Sequence, residues 1–325
     1  MSSKREKYRV YVTRPIPEPG LDMLRISCDV EVKPMDDMVP HEELLEKVKG
    51  RDALLCLLTE KIDEEIIDAG TNLKIIANYA VGYDNVDVDC ATKHGIWVSN
   101  TPGVLTDTTA DMAWALMFAI ARRIPEADRF TKAGKFKGWS ATMLLGGDIH
   151  GKTLGIVGVG RIGTAVAKRS AGFNMRVLYT DVRPNKELER EVGAEQVDMD
   201  TLLRESDFVS IHVPLMPGTR YLIGKRSLRM MKPTAYLINT SRGPVINEAA
   251  LAEALRDKII AGAGLDVYEE EPKIHPALLE LDNVVLTPHI ASGSVETRSK
   301  MATMAAENVI AALDGRTPPN AVNRV

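Results

Sequence analysis

One stretch constrains the fold more than any other: Thr153-Leu-Gly-Ile-Val-Gly158-Val-Gly160-Arg-Ile-Gly163. An apolar run of strand length breaks into three glycines, and a helical pattern follows at once. The spacing predicts a strand, a tight turn and a helix N-terminus. Backbone N–H groups and the positive end of a helix dipole meet there, which suits a pyrophosphate. G-x-G-x-x-G alone reads equally well as an ordinary glycine turn. The context decides. Met175-Arg-Val-Leu-Tyr-Thr-Asp181 reads as a second strand ending in a carboxylate 18 residues past Gly163. That is where an acid hydrogen-bonds the adenosine ribose hydroxyls. Strand, glycine turn, helix, strand and acid together point to a dinucleotide site.

The chain is long enough to build more than that one unit. Its 325 residues allow two domains, each with its own core. The formal charge of −4 and the lack of any basic run beyond Lys4-Arg5 give no footprint for nucleic acid or an anionic membrane. The charged start of the chain lacks the apolar segment of a signal peptide. The longest apolar run, Ala113 to Ala121, is too short to span a bilayer. Cys28, Cys56 and Cys90 lie far apart with no C-x-x-C, as expected of reduced core thiols in a cytoplasmic protein. No cysteine- or histidine-rich ligand cluster indicates a metal.

Residues 1 to 100 alternate strands and helices. Strands are expected at Tyr8–Thr13, Cys28–Val32, Ala53–Leu58, Leu73–Ala80 and Ile96–Ser99, with helices over His41–Val48, Ile62–Ala69 and up to His94. The prolines Pro15, Pro17 and Pro19 punctuate the segment after the first strand. A βα repeat of this kind predicts a parallel sheet covered on both faces. Asn100-Thr-Pro-Gly103 breaks the rhythm. Thr106–Ala121 then reads as one helix, apolar almost all round, which must be buried on every side and is expected to pack between domains or subunits. Lys132 to Gly147 is irregular and carries Trp139. A second βα series follows, with strands at Leu154–Val157, Met175–Thr180, Glu195–Val197, Phe208–Val213, Ala235–Thr240, Ala261–Val267 and Val284–Thr287. Helices lie between them, including Asn247–Lys258 with Asn247 as N-cap. A last helix, Val295–Leu313, follows with no linker before it, so it is expected to return to the first domain.

Ligands of open parallel sheets bind off the carboxyl ends of the strands. There the second series places Asp181, His212-Val213-Pro214, Thr240-Ser241-Arg242, Asp266 with the acidic run Glu269-Glu270-Glu271, and Pro288-His289. Taken singly, an arginine after a strand is usually surface, a charge run is usually a solvated loop, and His212 could simply pack beside a cofactor. Arginine, carboxylate and histidine on one edge beside a dinucleotide turn are a set suited to 2-keto acid reduction. The arginine forks the carboxylate and polarises the carbonyl, and the histidine gives or takes the proton. A carboxylate orients the imidazole and favours its charged form. The acidic run alone does not say which carboxylate does this.

At these residues the chain resembles the D-isomer-specific 2-hydroxyacid dehydrogenases, in particular their glyoxylate/hydroxypyruvate reductase branch. The marks are Ala80-Val-Gly-Tyr-Asp-Asn-Val-Asp87, Asn100-Thr-Pro-Gly103 with Thr109-Ala-Asp-Met, the run from Gly151 to Gly163, Asn239-Thr-Ser-Arg-Gly243, Gly262-Ala-Gly-Leu-Asp-Val267, Glu269-Glu-Glu-Pro272 and Leu286-Thr-Pro-His-Ile-Ala291. The resemblance implies two doubly wound parallel α/β domains. One is a flavodoxin-like, discontinuous substrate domain (residues 1–100 and 288–325), the other a Rossmann NAD-binding domain (101–287), with the site in the cleft between them. It implies that Arg242 is the substrate arginine, His289 the acid/base and Glu271, directly before the proline, its partner. It implies that Val81 and Gly82 hold the substrate carboxylate through N–H groups and that Leu58 lines the pocket. Gly158, Gly160, Arg161, Ile162 and Gly163 would meet the pyrophosphate, with Asp181, Val213, Pro214 and Thr219 on the adenosine side. Asp266 would contact the nicotinamide carboxamide, and Thr109, Thr240 and Ser241 would also touch the cofactor. A homodimer built on the nucleotide domain is implied as well, which would bury the Thr106–Ala121 helix.

Asp181 repels a 2′-phosphate, so NADH is the expected cofactor, although Arg183 two residues on softens this and leaves NADPH open. The expected activity is reduction of glyoxylate or hydroxypyruvate to glycolate or D-glycerate. The alternatives are a reductase of bulkier keto acids, such as phenylpyruvate or the precursor of D-lactate, and an NAD-sensing protein like the corepressors that share this fold. Phosphoglycerate dehydrogenase is disfavoured by the lack of an extra C-terminal regulatory domain.

Overall fold

The computed structural model describes residues 7–325, so the charged start of the chain, residues 1–6, lies outside the described residues. The chain divides into two compact units, Met1–Leu105 with Gly293–Val325, and Thr106–Ser292.

The first unit alternates β1 (Tyr8–Val12), α1 (Glu18–Ser27), β2 (Cys28–Val32), α2 (His41–Val48), β3 (Ala53–Cys56), α3 (Glu64–Ala69), β4 (Ile75–Asn78), α4 (Val88–Lys93) and β5 (Trp97–Ser99). All pairings are parallel, in the order β2-β1-β3-β4-β5. This is the flavodoxin-like order, with its switch point between β1 and β3. β3 and β4 are buried at every residue, as strands covered on both faces must be.

The prolines after β1 do more than punctuate. Pro19 sits in the first turn of α1, where its missing N–H costs nothing. Gly20 lets α1 press on the C-terminal helix, Val295–Leu313: a Cβ there would lie 2.5 Å from the Ala302 carbonyl oxygen. The glycine thus serves a backbone contact between two helices, which local periodicity does not announce.

The second unit runs α5 (Thr106–Ala121), α6 (Ile124–Lys132), β6 (Thr153–Val157), α7 (Arg161–Arg169), β7 (Arg176–Thr180), α8 (Lys186–Val192), β8 (Glu195–Gln196), α9 (Met199–Glu205), β9 (Phe208–Ile211), α10 (Lys225–Met230), β10 (Tyr236–Asn239), α11 (Glu248–Arg256), β11 (Gly262–Leu265), α12 (Pro276–Leu279) and β12 (Val284–Leu286), before α13 (Val295–Leu313) rejoins the first unit. Seven parallel strands pair in the order β12-β11-β10-β9-β6-β7-β8. That is a Rossmann sheet extended by one strand, with its switch point between β6 and β9.

The all-apolar helix α5 finds its burial inside this unit. Leu116 and Ile120 press on β11, where a Cβ at Gly264 would come 2.9 Å from Leu116 and one at Gly262 equally close to Ile120. Trp114 stacks on Phe173 at 4.9 Å between ring centroids and donates its indole N–H to the Val166 carbonyl of α7 at 3.0 Å. Asp107 and Asp111 face solvent and pair with Arg169. Two glycines on one strand therefore supply the groove that the expectation of an interdomain or intersubunit position had assigned elsewhere.

Candidate active site

The glycine turn follows β6 at the switch point. Gly158 has φ +91°, and a Cβ there would lie 2.8 Å from Val213. At Gly163 a Cβ would fall 2.0 Å from the Gly158 carbonyl oxygen, so α7 can start only where this residue has no side chain. Gly160 is different: its Cβ direction meets no protein atom within 4 Å, and it caps α7 with its backbone open. Arg161 and Ile162 form the first turn of α7, and Arg161 is exposed. Asp181 follows β7. Its carboxylate accepts the Val159 N–H at 2.8 Å and the Arg183 N–H at 3.3 Å, which fixes it over the turn.

The ends of β9 and β10 carry enclosed polar atoms without a partner among the described residues: His212 Nδ1 and Thr240 Oγ1. Open backbone at Gly160, a pinned acid and orphan polar atoms on the neighbouring strand ends fit a dinucleotide. Val213 and Pro214 follow His212. Thr219 donates its hydroxyl to the Pro214 carbonyl at 2.6 Å and closes that loop. Ser241 donates to Asn239 Oδ1, and Thr109 lies buried on α5.

His212 bonds Ser210 Oγ through Nε2 at 2.8 Å, and burial pushes its imidazole down to about 3. Part of the residue reaches the surface, but the nitrogen that would take the proton is the enclosed one, so the folded ring stays neutral. The unfolded chain therefore binds an extra proton between the ordinary histidine range and about 3. Stability from this source is complete above about pH 6.5 and lost as pH falls, by up to about 2 kcal/mol between pH 7 and 5. Urea titrations at the two pH values should show this loss in the native protein and less of it in His212→Gln. Equal slopes in both would refute the assignment.

The chemical groups gather on the β10–β12 side of the same unit. Arg242 follows β10. Its carbonyl accepts from Asn239 Nδ2 at 2.9 Å, and one guanidinium nitrogen donates to the Ser241 carbonyl at 2.9 Å. The next residue, Gly243, packs on backbone: a Cβ would lie 1.8 Å from the Tyr268 carbonyl. His289, in a left-handed conformation with φ +54°, turns Nδ1 to Glu271 Oε2 at 2.8 Å. Glu271 Oε1 accepts the Tyr268 N–H at 3.0 Å. Burial raises the Glu271 carboxyl, but the His289 bond and charge, the Tyr268 N–H and the Arg242 charge outweigh it and hold the group below the ordinary range. Glu271 is thus an anion at neutral pH.

Asp266, at the end of β11, shows no surface to solvent. Its oxygens accept from Thr287 Oγ1 at 2.6 Å, Ile290 N at 2.9 Å and Ala291 N at 2.7 Å, so it fastens the segment that carries His289. Burial pushes its carboxyl up against those three bonds. Tyr268 adds a strap by donating its hydroxyl to the Thr287 carbonyl at 2.8 Å. Glu269, the first of the acidic run, faces the Tyr221 hydroxyl instead of His289.

In the first unit, Leu58, Val81 and Gly82 lie on loops after β3 and β4. Asn100 Nδ2 donates to the Val81 carbonyl at 2.7 Å and Asn78 Nδ2 to the Gly82 carbonyl at 2.8 Å. With both carbonyls tied back, the N–H groups of Val81 and Gly82 carry no protein acceptor among the described residues. Asn85 Nδ2 holds the carbonyls of Leu57 and Glu60. Glu60, a buried carboxylate, accepts from Thr13 Oγ1 at 2.9 Å and Leu57 N at 2.8 Å and pairs with Arg14 at 3.2 Å. Sequence reasoning missed this frame; its one signal is that Asn78 and Asn100 each sit at or just past the end of a strand. Elsewhere in the unit, Asp68, Cys90 and His94 gather, but His94 Nε2 pairs with Asp68 at 2.9 Å and Nδ1 faces the Cys90 carbonyl at 3.0 Å. The two ring nitrogens thus tie the end of α4 to α3.

No helix among the described residues is long and apolar enough to cross a membrane. Residues 114–291 match the family model of the D-isomer specific 2-hydroxyacid dehydrogenase NAD binding domain. The chain is 52% identical over 322 residues to the glyoxylate reductase of Thermococcus litoralis, covering 98% of this chain and 97% of that one. It is 55% identical over 322 residues to the glyoxylate reductase of Korarchaeum cryptofilum, covering 98% and 96%. Among solved structures it resembles the TT0316 protein of Thermus thermophilus with a TM-score of 0.92 and 44% identity, over 97% of this chain and 100% of that one. An NADPH-dependent glyoxylate/hydroxypyruvate reductase of Sinorhizobium meliloti, solved with NADP and malonate, matches with a TM-score of 0.86 and 31% identity, over 98% and 100%. With a nucleotide turn built for a dinucleotide and relatives of this similarity along its whole length, the chain belongs to the D-isomer specific 2-hydroxyacid dehydrogenases.

Proposed function

We propose that this oxidoreductase reduces glyoxylate and hydroxypyruvate to glycolate and D-glycerate, with NADH as the preferred cofactor. The observation that carries the reading is the 2.8 Å bond from His289 Nδ1 to Glu271. With Nδ1 committed, Nε2 is the nitrogen left to exchange a proton with substrate. When bound, the nicotinamide supplies the hydride that the keto carbon receives. The chain's own residues do the rest. Arg242 forks the substrate carboxylate and polarises the carbonyl. The N–H groups of Val81 and Gly82 offer further donors to an anionic group, and Leu58 limits the substrate's size. The His289 imidazolium gives its proton to the carbonyl oxygen, while Glu271 stabilises the charge before transfer and fixes the ring. In oxidation the neutral ring takes the proton back. Arg161, Ile162 and the open Gly160 backbone hold the pyrophosphate, and Val213, Pro214 and Thr219 flank the adenosine. The domain roles are then substrate for Met1–Leu105 with Gly293–Val325 and nucleotide for Thr106–Ser292, the unit that carries His289. A homodimer through the nucleotide unit fits the exposed Phe136, Trp139 and Leu145, apolar side chains grouped in one segment before β6.

The test is a substrate panel run with both reduced cofactors. Glyoxylate and hydroxypyruvate should give the highest kcat/KM with NADH, and a clear preference for phenylpyruvate would defeat the substrate assignment. Asp181→Ser should lower the NADH over NADPH preference by at least about tenfold, because it removes the charge that repels a 2′-phosphate. An unchanged ratio would show that the discrimination lies elsewhere.

A further inference from the structure

The loop that carries Glu271 is fastened at a point the proton-transfer chemistry does not use. Glu248, the first residue of α11, is 5% exposed. Its Oε1 accepts the Glu269 N–H, and its Oε2 accepts the His275 N–H at 3.1 Å. These two donors bracket Glu271. The tie is reciprocal, since the Glu248 N–H donates to Glu269 Oε2 at 3.2 Å. On the far side, Gly243 lies against the Tyr268–Glu269 backbone with no room for a Cβ, so the turn after Arg242 and the acid loop share one seam.

We propose that Glu248 is a positioning residue for the proton-transfer pair, its carboxylate holding the Tyr268–His275 loop so that Glu271 meets His289 Nδ1. The inference rests on the reading of Glu271 and His289 as that pair. A carboxylate is the side chain that the geometry asks for. It presents two acceptors and no donor to two backbone N–H groups. Glutamine would oppose one N–H with its own amide, leaving a buried donor unsatisfied and the loop free to shift. Aspartate keeps both acceptors but is one methylene shorter. The sequence marks the position only as the residue after an N-cap, where an acid is common for helix-dipole reasons.

The test compares Glu248→Gln, Glu248→Asp, Glu271→Gln and the double variant Glu248→Gln/Glu271→Gln, all full-length. The readouts are kcat/KM for glyoxylate across pH, NADH affinity and melting temperature. The charged and titratable groups facing the pair are Arg242, Asp266 and Tyr268, and all are kept. Glu248→Gln should lower kcat/KM by about tenfold with NADH affinity kept, and move the high-pH limb of reduction toward lower pH, as Glu271→Gln does. Glu248→Asp should recover part of both effects. Once Glu271 is gone, Glu248→Gln should change the pH limb no further, because a side chain that acts through Glu271 has nothing left to position. A direct field effect of the lost charge would persist in that background and would overturn the proposal. So would a Glu248→Gln enzyme that melts earlier yet keeps its pH limb. Should Glu271→Gln itself leave the limb in place, the proton-transfer reading fails, and the role of Glu248 falls with it.

Discussion

Arg242→Ala is expected to lower kcat/KM for glyoxylate by about a thousandfold, with NADH affinity retained. The residue sits where β10 ends, and the structure spends three contacts on aiming it: Asn239 Nδ2 on its carbonyl, the Ser241 carbonyl on its guanidinium, and Gly243 pressed on the Tyr268 backbone behind it. A guanidinium presents two parallel donors to a carboxylate, and in the transition state it also stabilises charge growing on the carbonyl oxygen. Alanine removes both. Arg242→Lys separates them: a point charge keeps part of the attraction but not the fork, so KM should rise more than kcat falls. Loss of the arginine should also loosen Glu271, whose carboxyl its charge helps to hold down. Wild-type turnover in Arg242→Ala would sink the proposed mechanism.

The fold was legible because its grammar is local. Short strands of two to five residues, most of them apolar, alternate with helices, and one glycine pattern followed by Asp181 marks the switch point of a Rossmann sheet. Asn247 caps α11 as its position in the sequence predicts. What escaped was set by contacts between distant segments. Periodicity shows that α5 is buried all round but cannot say by what; the answer lies in Gly262 and Gly264, which read locally as weak strand residues. Pro19 read as punctuation and is instead part of a helix start, and Gly20, which no local signal singled out, is a helix contact. The same divide runs through the site. Strand ends brought Arg242, Asp266 and His289 to one edge. The acidic run did not say which glutamate faces the histidine, because three adjacent carboxylates are equivalent until the loop is folded. In the structure Glu269 turns to Tyr221 and Glu271 to His289. The frame of Asn78, Asn85, Asn100 and Glu60 was invisible for the reason that Glu248 was: each holds backbone or side-chain groups that only folding brings beside it, and no spacing rule encodes that.

His289→Ala should lower kcat for glyoxylate reduction by about 10²–10⁴-fold and leave a profile without the limb that reports the imidazole. Glu271→Gln is the more informative partner. Glu271 is anionic at neutral pH, since its carboxyl lies below the ordinary range. At 2.8 Å from Nδ1 this anion favours the charged ring. Reduction needs the charged ring and is lost as pH rises; oxidation needs the neutral ring and is lost as pH falls. Removing the anion disfavours the charged form, so both limbs should move toward lower pH, by about one unit for a loss of 1.4 kcal/mol of interaction. The two directions of the reaction thus make opposite demands on one ring, and Glu271→Gln should slow reduction at high pH while extending oxidation to lower pH. Limbs that move apart, or a His289→Ala enzyme that keeps its limb, would place the proton on another group. The strap from Tyr268 to Thr287 and the three bonds on Asp266 hold the His289 segment independently of Glu271. The ring's backbone should therefore stay in place in Glu271→Gln, and the shift should report charge and orientation with the fold intact.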